Sequence, residues 1–335
     1  MIDIDGSYGE SGGQILRTAI ALSAITGKAC KIDKIRANRS KPGLQPQHLA
    51  AVNTVAQLCS AKVDAKIGST TLVFEPREIK GGHYDIDIGT AGAISLVLQS
   101  LILPSIHAEH PTTLTIKGGT HVNWSPSMDY MQRVFCYYMK KIGINLNMKI
   151  EKHSFYPKGG GLVTVKIDHG IPNSLSIVKR GELRSYEAIS IASENLKKAQ
   201  VAERQLNAAE KSFPFGEKNI SYVNSLSPGS SIHLSAVYEN CILGASALGE
   251  RNKKAEDVGK DAATILKKQL ESNACFDEYM ADQILPFLAF AKEDSKISVA
   301  EITSHTLTNI WVIEKFLPVK FEVNQKDKTI EVRVK

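Results

Sequence analysis

The sequence has few cysteines and few tryptophans, five and two in 335 residues. The cysteines are scattered, their number is odd, and none belongs to a CxxC pair. This pattern excludes a disulfide scaffold and a cysteine-based zinc site. We therefore expect buried, reduced thiols and a reducing compartment, which indicates a cytoplasmic protein.

A long uninterrupted apolar run is also missing. The longest apolar stretch, around Ile94 to Ile106, is interrupted by serine, glutamine and proline residues. It is too short and too polar to span a membrane, and we interpret it as a buried helix. The first five residues, Met-Ile-Asp-Ile-Asp, have neither the basic region nor the apolar core of a signal peptide. We expect no membrane partner.

Neither sign of charge dominates. The 41 basic and 35 acidic residues give a formal net charge of +6, which favours a polyanionic partner only weakly because many metabolic enzymes carry a similar excess. The hydrophobic fraction of 43% is ordinary for a globular protein and is enough for a large core. The length makes two domains the reasonable expectation.

The hydrophobic pattern repeats in a fixed order of two strand–helix pairs followed by two strands. In the first unit a strand at 2–4 precedes a glycine-rich loop and a helix at 13–26, with Gly27 at the C-terminal cap position. The other predicted elements of this unit are a strand at 29–35, a helix at 46–60 and strands at 62–66 and 70–74.

The second unit has the same order. Its predicted elements outside the second helix are a helix at 91–107 and strands at 84–88, 113–117, 145–150 and 161–167. The second helix has clear boundaries in the sequence. Ser125 is a suitable N-cap, Pro126 fits the first turn and Gly143 fits the end.

The third unit is split by an insertion. Its first strand is predicted at 174–178, and its other elements are predicted at 277–292, 296–302, 304–317, 319–323 and 329–334. The intervening segment has its own strands and helices. We therefore predict an α/β (α+β) fold of three βαβαββ repeats packed around a common core. Residues 1–180 and 276–335 would form the catalytic repeat domain, and 181–275 a smaller inserted α/β domain.

The first loop, DGSYGESGGQ at 5–14, lies between a strand and a helix. Its glycines would let backbone N–H groups approach an anion at the helix N-terminus. It is neither a Walker A loop nor a GxGxxG motif, so phosphate binding and a plain tight turn both remain open. Glu10 in this loop would need a divalent cation to lie beside bound phosphates, or it would simply interact with the helix dipole.

A basic cluster, RANRSKPGLQPQH at 36–48, runs from a strand end into a helix start. The guanidinium groups of Arg36 and Arg39 are suited to phosphate oxygens. Gln47 and His48 fall in the first helical turn and would point toward the same anion. The alternative interpretation is a solvated basic loop, although its Pro and Gly residues favour order. Arg17 lies three residues after Gln14 on one face of the preceding helix.

His305 follows Ser304 at the start of the last predicted helix. A helix N-terminus disfavours imidazolium, so the ring should stay neutral with a free lone pair. A neutral imidazole is a competent nucleophile toward phosphorus. The alternative is a histidine with only a structural role, which is the commoner case for a single histidine.

Taken together, these segments resemble the RNA 3′-terminal phosphate cyclases. The segments that carry the resemblance are DG at 5–6, GESGGQILR at 9–17, IRANR at 35–39, KPGL at 41–44, QHL at 47–49, AG at 91–92, LQ at 98–99, FYP at 155–157, GGG at 159–161, EYMADQ at 278–283 and HTLTN at 305–309. They occur in family order along the whole chain, and the inserted segment matches least. Ser11 departs from the family pattern, which usually has glycine there.

The resemblance implies the three-repeat fold with an inserted domain and a reaction in three steps. A histidine attacks the α-phosphate of ATP, giving histidine–AMP and pyrophosphate. AMP then passes to an RNA 3′-phosphate, and the neighbouring 2′-hydroxyl displaces AMP to leave a 2′,3′-cyclic phosphate. Adenylylation supplies a leaving group, and the adjacent hydroxyl gives ring closure a proximity advantage.

By the same resemblance, His305 corresponds to the adenylylated histidine and Glu10 to a glutamate that contacts a divalent metal, Mg²⁺ or Mn²⁺. The implied ATP pocket consists of Gln99, Pro126, Tyr279, Asp282 and Gln283. Tyr279 would stack on the adenine, with Pro126 on the other face. The implied contacts to phosphates and to the RNA end come from Gln14, Arg17, Arg36, Arg39, Gln47 and His48.

Two other functions remain open at this stage. A non-catalytic, cyclase-like RNA-binding protein of ribosome assembly would share the fold, but it would lack the nucleophilic histidine. An enolpyruvyl-transferase-like enzyme would use similar repeats. The expected partner in the leading interpretation is RNA with a 3′-phosphate end, and a homo-oligomer is possible.

Overall fold

The N-terminal unit forms the first of three sheets with the same strand order. The computed structural model describes residues 1–334. The elements of this unit are β1 (Ile2–Asp5), α1 (Gly13–Thr26), β2 (Cys30–Asp33), α2 (Pro46–Leu58), β3 (Lys62–Val63) and β4 (Leu72–Glu75). The strand order in the sheet is β1-β2-β4-β3. β1 and β2 are parallel, and the other two neighbouring pairs are antiparallel.

The second unit repeats this arrangement. Its elements are β5 (Gly82–Asp87), α3 (Ile94–Ile106), β6 (Thr112–Gly118), α4 (Met128–Tyr130), a π-helical segment (Met131–Phe135), α5 (Cys136–Lys141), β7 (Leu146–Lys152) and β8 (Gly161–Ile167). The strand order is β5-β6-β8-β7, again with only the first pair parallel.

The third unit begins with β9 (Ser176–Ile177), after which the chain enters a separate sheet. The elements of that sheet and its helices are β10 (Leu183–Ser193), a 3₁₀ segment (Glu194–Ala199), α6 (Val201–Glu210), β11 (Phe215–Val223), β12 (Ser230–Tyr238), β13 (Ile242–Leu248) and α7 (Ala255–Glu271). Their order is β11-β10-β12-β13, and α6 and α7 cover the sheet with an apolar cluster of its own, including Leu206, Leu234 and Leu266. The predicted domain limits at 181 and 275 stay a prediction.

The chain then returns to complete the third unit. Its remaining elements are α8 (Glu278–Leu288), β14 (Ser295–Ser298), α9 (Ser304–Phe316), β15 (Lys320–Asn324) and β16 (Thr329–Arg333). The strand order is β9-β14-β16-β15, with the β9–β14 pair parallel. The three units therefore share one topology, which confirms the predicted α/β fold of three βαβαββ repeats.

Helices from the three units meet in one core. α1 packs against α2, α3 and α9, and α8 packs against α3 and α9. α1 and α3 are buried along most of their length because neighbouring helices cover several of their faces. This packing brings the N-terminus of α1, from the first unit, close to the N-terminus of α9, from the third.

The start of the second helix in unit two differs from the sequence prediction. Ser125 was predicted to be its N-cap, but the structure uses Ser127, whose hydroxyl accepts the Tyr130 N–H at 3.2 Å. The Ser125 hydroxyl instead donates to the Val122 carbonyl at 2.8 Å. Trp124 has a positive φ of 65°, so the chain turns there and Ser125 belongs to the turn.

Within residues 1–334, no helix is both long enough and apolar enough to cross a membrane.

Candidate active site

Ser11 holds the glycine-rich loop between β1 and α1. It is fully buried, with φ of 52°, a region that is unfavourable for residues other than glycine. Its hydroxyl donates to the Gly6 carbonyl at 3.0 Å and accepts the Asn38 N–H at 3.2 Å. The serine thereby joins this loop to the basic loop, a contact that glycine would not make.

We expect Ser11→Ala to lower the free energy of unfolding by about 1–3 kcal/mol, because both hydrogen bonds are lost while the unfavourable φ remains. Ser11→Gly loses the same bonds but relieves the backbone, so its cost should be smaller by about 1 kcal/mol. Urea denaturation of the two variants measures the difference. Equal losses would show that the backbone at this position is not strained.

His305 lies in the first turn of α9, beside the start of α1. Thr303 caps this helix, and its hydroxyl accepts the Thr306 N–H at 3.1 Å. Both ring nitrogens of His305 have partners from the first unit. Nδ1 is hydrogen-bonded to Oε1 of Gln14, and Nε2 lies 3.0 Å from Oε2 of Glu10. The tertiary structure thus joins residues that are almost 300 positions apart.

Gln14 determines which nitrogen of His305 carries the proton. The amide group of Gln14 donates to the His305 carbonyl at 2.9 Å and to Oδ2 of Asp282 at 3.1 Å. Its Oε1 must therefore face the ring, and an amide oxygen can only accept a hydrogen bond. Nδ1 is then the N–H donor, so in the neutral ring the lone pair is on Nε2. The Glu10 carboxylate lies 3.0 Å from this Nε2, so a cation on Glu10 or a movement of the Glu10 side chain must free the lone pair before it can attack. The His305 side chain is 45% exposed, so a ligand can reach this nitrogen.

Burial is the main cause that lowers the pKa of His305. The Arg17 and Arg39 cations lower this pKa further, whereas Glu10 acts in the opposite direction. The helix N-terminus was the cause expected from the sequence, and the direction of the shift is the same. A neutral imidazole with an accessible Nε2 can act as a nucleophile.

Glu10 is an ionised carboxylate beside Nε2. The hydrogen bond from the Ser304 hydroxyl is the largest cause that lowers the pKa of Glu10, and the charge of Arg39 acts in the same direction. Arg39 Nη2 lies 3.5 Å from Oε2 of Glu10. The carboxylate is 41% exposed. A hard divalent cation fits such a group, because Mg²⁺ needs only one or two protein carboxylates and takes water or phosphate oxygens for its other positions.

Arg17, which is buried, and Asp282, which is half-buried, lie behind Gln14. Burial lowers the pKa of Arg17 to about 10, and the charge of Asp282 opposes this shift, so Arg17 stays a cation at neutral pH. Burial also raises the pKa of Asp282 to about 7, against the charge of Arg17. Arg17 therefore places a positive charge near His305. The carboxyl group of Asp282, which accepts a hydrogen bond from Gln14, is only partly ionised at neutral pH.

The predicted ATP-pocket residues lie on both sides of a narrow cavity. Gln99, Asp282 and Gln283 line it together with Gln14 and Arg17. Across the cavity, the amide of Gln99 donates to Oε1 of Gln283 at 3.2 Å. The cavity volume is about 30 Å³, far below the roughly 300 Å³ or more of a typical ligand pocket. A nucleotide would therefore lie outside it.

Tyr279 and Pro126 lie at more open positions. The Tyr279 ring is 42% exposed and packs edge-on against Tyr130, with ring centroids 6.3 Å apart. The Pro126 carbonyl accepts the Ser95 hydroxyl at 2.7 Å. Ser95 and Gln99 are one turn apart on α3, so this helix connects Pro126 to the residues around the cavity.

Three residues predicted to contact phosphates make contacts within the protein. The Arg36 guanidinium donates to the Gly43 carbonyl at 3.0 Å, and Oε1 of Gln47 accepts the Ala93 N–H at 3.0 Å. His48 Nδ1 accepts the Gln45 N–H at 3.1 Å, and burial lowers the pKa of His48 to about 3. Arg36 and Gln47 thus hold the loop and helix ends in place, and His48 is a neutral group.

His48 nevertheless lies at the site. A Cβ atom at Gly13 would be 2.3 Å from Nε2 of His48 and 3.0 Å from Nη1 of Arg17. A larger residue at the first position of α1 would therefore displace the side chains of His48 and Arg17. Because Nδ1 of His48 accepts a hydrogen bond, its Nε2–H is the group that can donate to an anion.

Asp277 supports the site, and the sequence analysis assigned it no role. It is fully buried and accepts four hydrogen bonds, from the Tyr130 hydroxyl at 2.7 Å and from the N–H groups of Tyr279, Met280 and Gly244 at 3.0, 2.8 and 2.9 Å. It therefore caps α8 and joins it to the second unit and to β13. An aspartate directly before a predicted helix was the available signal.

Comparisons with known proteins agree on one family. The family profile described as RNA 3′-terminal phosphate cyclase matches residues 8–323. The RNA 3′-terminal phosphate cyclase of Pyrococcus furiosus is 47% identical over 330 residues, covering 96% of this chain and 95% of its own. That of Methanopyrus kandleri is 43% identical over 352 residues, with 99% of both chains covered. The enolpyruvyl transferase NikO from Streptomyces tendae aligns over 99% of this chain and 81% of its own at 10% identity, with a TM-score of 0.25, which is too low to establish a shared fold.

Proposed function

This chain belongs to the RNA 3′-terminal phosphate cyclase family, and on that basis we propose that it converts an RNA 3′-phosphate into a 2′,3′-cyclic phosphate by way of a covalent histidine–AMP intermediate. The observation that carries the proposal is the contact of both ring nitrogens of His305 with Gln14 and Glu10. The family membership supports ATP as the second substrate and RNA as the partner.

In the first step Nε2 of His305 attacks the α-phosphorus of ATP. A P–N bond forms, the bond between the α-phosphorus and the bridging oxygen breaks, and pyrophosphate leaves. Nδ1 keeps its proton, and Oε1 of Gln14 accepts it in a hydrogen bond, which stabilises the positive charge that develops on the ring. Gln14 therefore orients the ring of His305, and this role is separate from the contact with a phosphate group that the sequence analysis assigned to Gln14.

The second and third steps use the adenylyl group as a leaving group. An oxygen of the RNA 3′-phosphate attacks the α-phosphorus, and the P–N bond breaks to return neutral His305. The adjacent 2′-hydroxyl then attacks the terminal phosphorus and loses its proton, and AMP leaves with the bridging oxygen. Because the 2′-hydroxyl and the terminal phosphorus belong to the same nucleotide, forming the cyclic phosphate avoids most of the entropic cost of bringing two molecules together.

The residues around His305 suit a nucleotide at the mouth of the narrow cavity. Tyr279 offers a half-exposed ring for stacking on a base, and Arg39 offers a guanidinium beside Glu10 for the phosphates. Glu10 would hold a divalent cation, which supplies positive charge near the phosphate oxygens when it is bound.

The five free cysteines support a cytoplasmic location.

A 3′-phosphorylated oligoribonucleotide incubated with ATP, metal and the protein should acquire a 3′ end that resists phosphatase. A matched oligonucleotide with hydrogen in place of the terminal 2′-hydroxyl should stop at the adenylylated 3′-phosphate, because ring closure has no nucleophile. If neither product forms, the proposal fails and a non-catalytic RNA-binding protein is the better description.

We expect Glu10→Ala to weaken the metal dependence of AMP transfer to the protein. The metal concentration that gives half-maximal transfer should rise by about 10- to 100-fold, because the cation loses a carboxylate that binds it directly or orients its ligands. Titration of Mg²⁺ or Mn²⁺ in a single-turnover assay measures this shift. Asp64→Ala, at an exposed carboxylate, is the control. An unchanged titration for Glu10→Ala would remove Glu10 from metal binding.

Transfer of AMP to the protein should keep its rate as the pH falls through 6.5, the ordinary pKa of histidine. The sign follows from burial, which lowers the pKa of His305 and keeps the ring unprotonated to lower pH. The rate should fall only below that lowered pKa. Single-turnover rates between pH 5 and 8 test this, and an inflection at or above 6.5 would contradict it.

A further inference from the structure

A second cluster of metal-ligating side chains lies on the second unit. His121 follows β6, Asp129 belongs to α4, and His153 follows β7. One potential ligand atom from each of the three lies within 4.8 Å of the other two. His121 and Asp129 are almost fully buried, 2% and 3% exposed. The contacts described for His305 involve none of these residues.

Thr120 contacts His121 on the side of the ring away from Asp129. Oγ1 of Thr120 accepts the Ser154 N–H at 2.8 Å, and it lies 3.0 Å from the Ser154 carbonyl and 2.9 Å from Nδ1 of His121. The other ring nitrogen, Nε2, lies 2.7 Å from Oδ2 of Asp129.

A proton on Nε2 of His121 can fill the space between this nitrogen and the Asp129 carboxylate, and a metal ion can fill it as well. Nδ1 of His153, which is buried without a hydrogen-bond partner, favours the metal ion. A proton between His121 and Asp129 leaves the Nδ1 atom unsatisfied, whereas a cation bound by it would give it a partner.

We propose that His121, Asp129 and His153 form a zinc-binding site. Two imidazoles and one carboxylate are a usual ligand set for Zn²⁺, and three protein ligands leave the fourth tetrahedral position for water. With a metal ion on Nε2 of His121, its Nδ1–H would donate to Oγ1 of Thr120, the kind of contact that orients a metal-bound histidine. His233 is not a fourth ligand, because its two nitrogens contact the hydroxyls of Ser246 and Ser235 at 2.9 Å.

The site needs only a small contraction to bind the ion. Zn²⁺ ligands at about 2.0–2.1 Å lie roughly 3.4 Å apart in a tetrahedron, against a present limit of 4.8 Å among the three atoms. The bound ion would join the turn after β6, the start of α4 and the segment after β7. It would thereby hold the segment of Pro126 and Ser127, whose carbonyl and hydroxyl contact α3 and β13.

Metal binding to the full-length protein tests this proposal. All variants carry Glu10→Ala, so that a cation near His305 does not contribute. After removal of metal with a chelator, zinc is titrated in competition with a chromophoric indicator, and cobalt is titrated by visible absorption. We expect one equivalent of zinc with a dissociation constant below about 1 μM, and an intense cobalt band typical of four-coordination.

The half-buried His153 gives the informative variant. His153→Gln should weaken zinc binding at least about 100-fold and remove the cobalt band, while His110→Gln, at an exposed histidine, should change neither. Equal zinc affinity in His153→Gln and in its parent would overturn the proposal. Should His153→Gln fail to fold, the parent titration still decides, because absence of a zinc equivalent shows that a proton alone bridges His121 and Asp129.

Discussion

His305→Asn will carry no AMP after incubation with radiolabelled ATP and a divalent metal, and the overall reaction will fall by at least about 10³-fold, as expected when a nucleophile is removed. Asparagine has no ring nitrogen to attack the α-phosphorus. The fold should survive. The side chain is 45% exposed, and its loss, which leaves Oε1 of the buried Gln14 without its donor, should lower the free energy of unfolding by about 1–2 kcal/mol. Intact-protein mass spectrometry measures the AMP adduct directly.

Two comparisons make the result for His305 specific. His83→Asn changes an exposed histidine whose Nε2 contacts Asp85, and it should be adenylylated as fully as the wild type. His305→Ala should behave like His305→Asn. If either His305 variant still acquired one AMP, the nucleophile would be another residue, and fragmentation of the labelled protein would identify it.

Asp277→Ala should give the largest loss of stability of any substitution considered, about 3–5 kcal/mol. The change leaves four donors without an acceptor, three backbone N–H groups and the Tyr130 hydroxyl, in a fully buried place. Urea denaturation followed by far-UV circular dichroism measures the loss. Activity should fall in parallel with the folded fraction.

Asp64→Ala is a suitable control for stability as well, because this aspartate is exposed and its replacement should cost less than about 0.5 kcal/mol. Asp277→Asn should cost less than Asp277→Ala, because one amide oxygen can still accept the donors that face Oδ1. A loss below about 1 kcal/mol for Asp277→Ala would mean that water or a neighbouring group replaces the carboxylate.

The repeat architecture could be predicted because each unit carries a local signal. Strand and helix periodicities are properties of neighbouring residues, and the order of elements recurs at 2–74 and 84–167. The limits of α1 at Gly13 and Thr26 agree with the prediction because Gly27 adopts the left-handed conformation expected of a C-terminal cap. The N-cap of α4 could not be predicted, because the turn at Trp124 moves the helix start from Ser125 to Ser127.

The sequence analysis named residues of the candidate site but not the contacts between them. Glu10, Gln14 and His305 were named from loop chemistry and family resemblance, and the structure brings them together. That Gln14 sets the tautomer of His305 could not be inferred, because it depends on the direction of one amide group. Arg36 and Gln47 were predicted to face an anion, but their present partners are backbone groups that only the folded loops supply.

The sequence by itself determined the class of fold, the family and the residue types available for chemistry, because these follow from local periodicity and from short motifs. Only the tertiary structure decided which partners the two nitrogens of His305 have, in which direction burial shifts the pKa values, and that His121, Asp129 and His153 lie close together. These properties depend on burial and on contacts between segments far apart in the chain, and no local pattern encodes such distances.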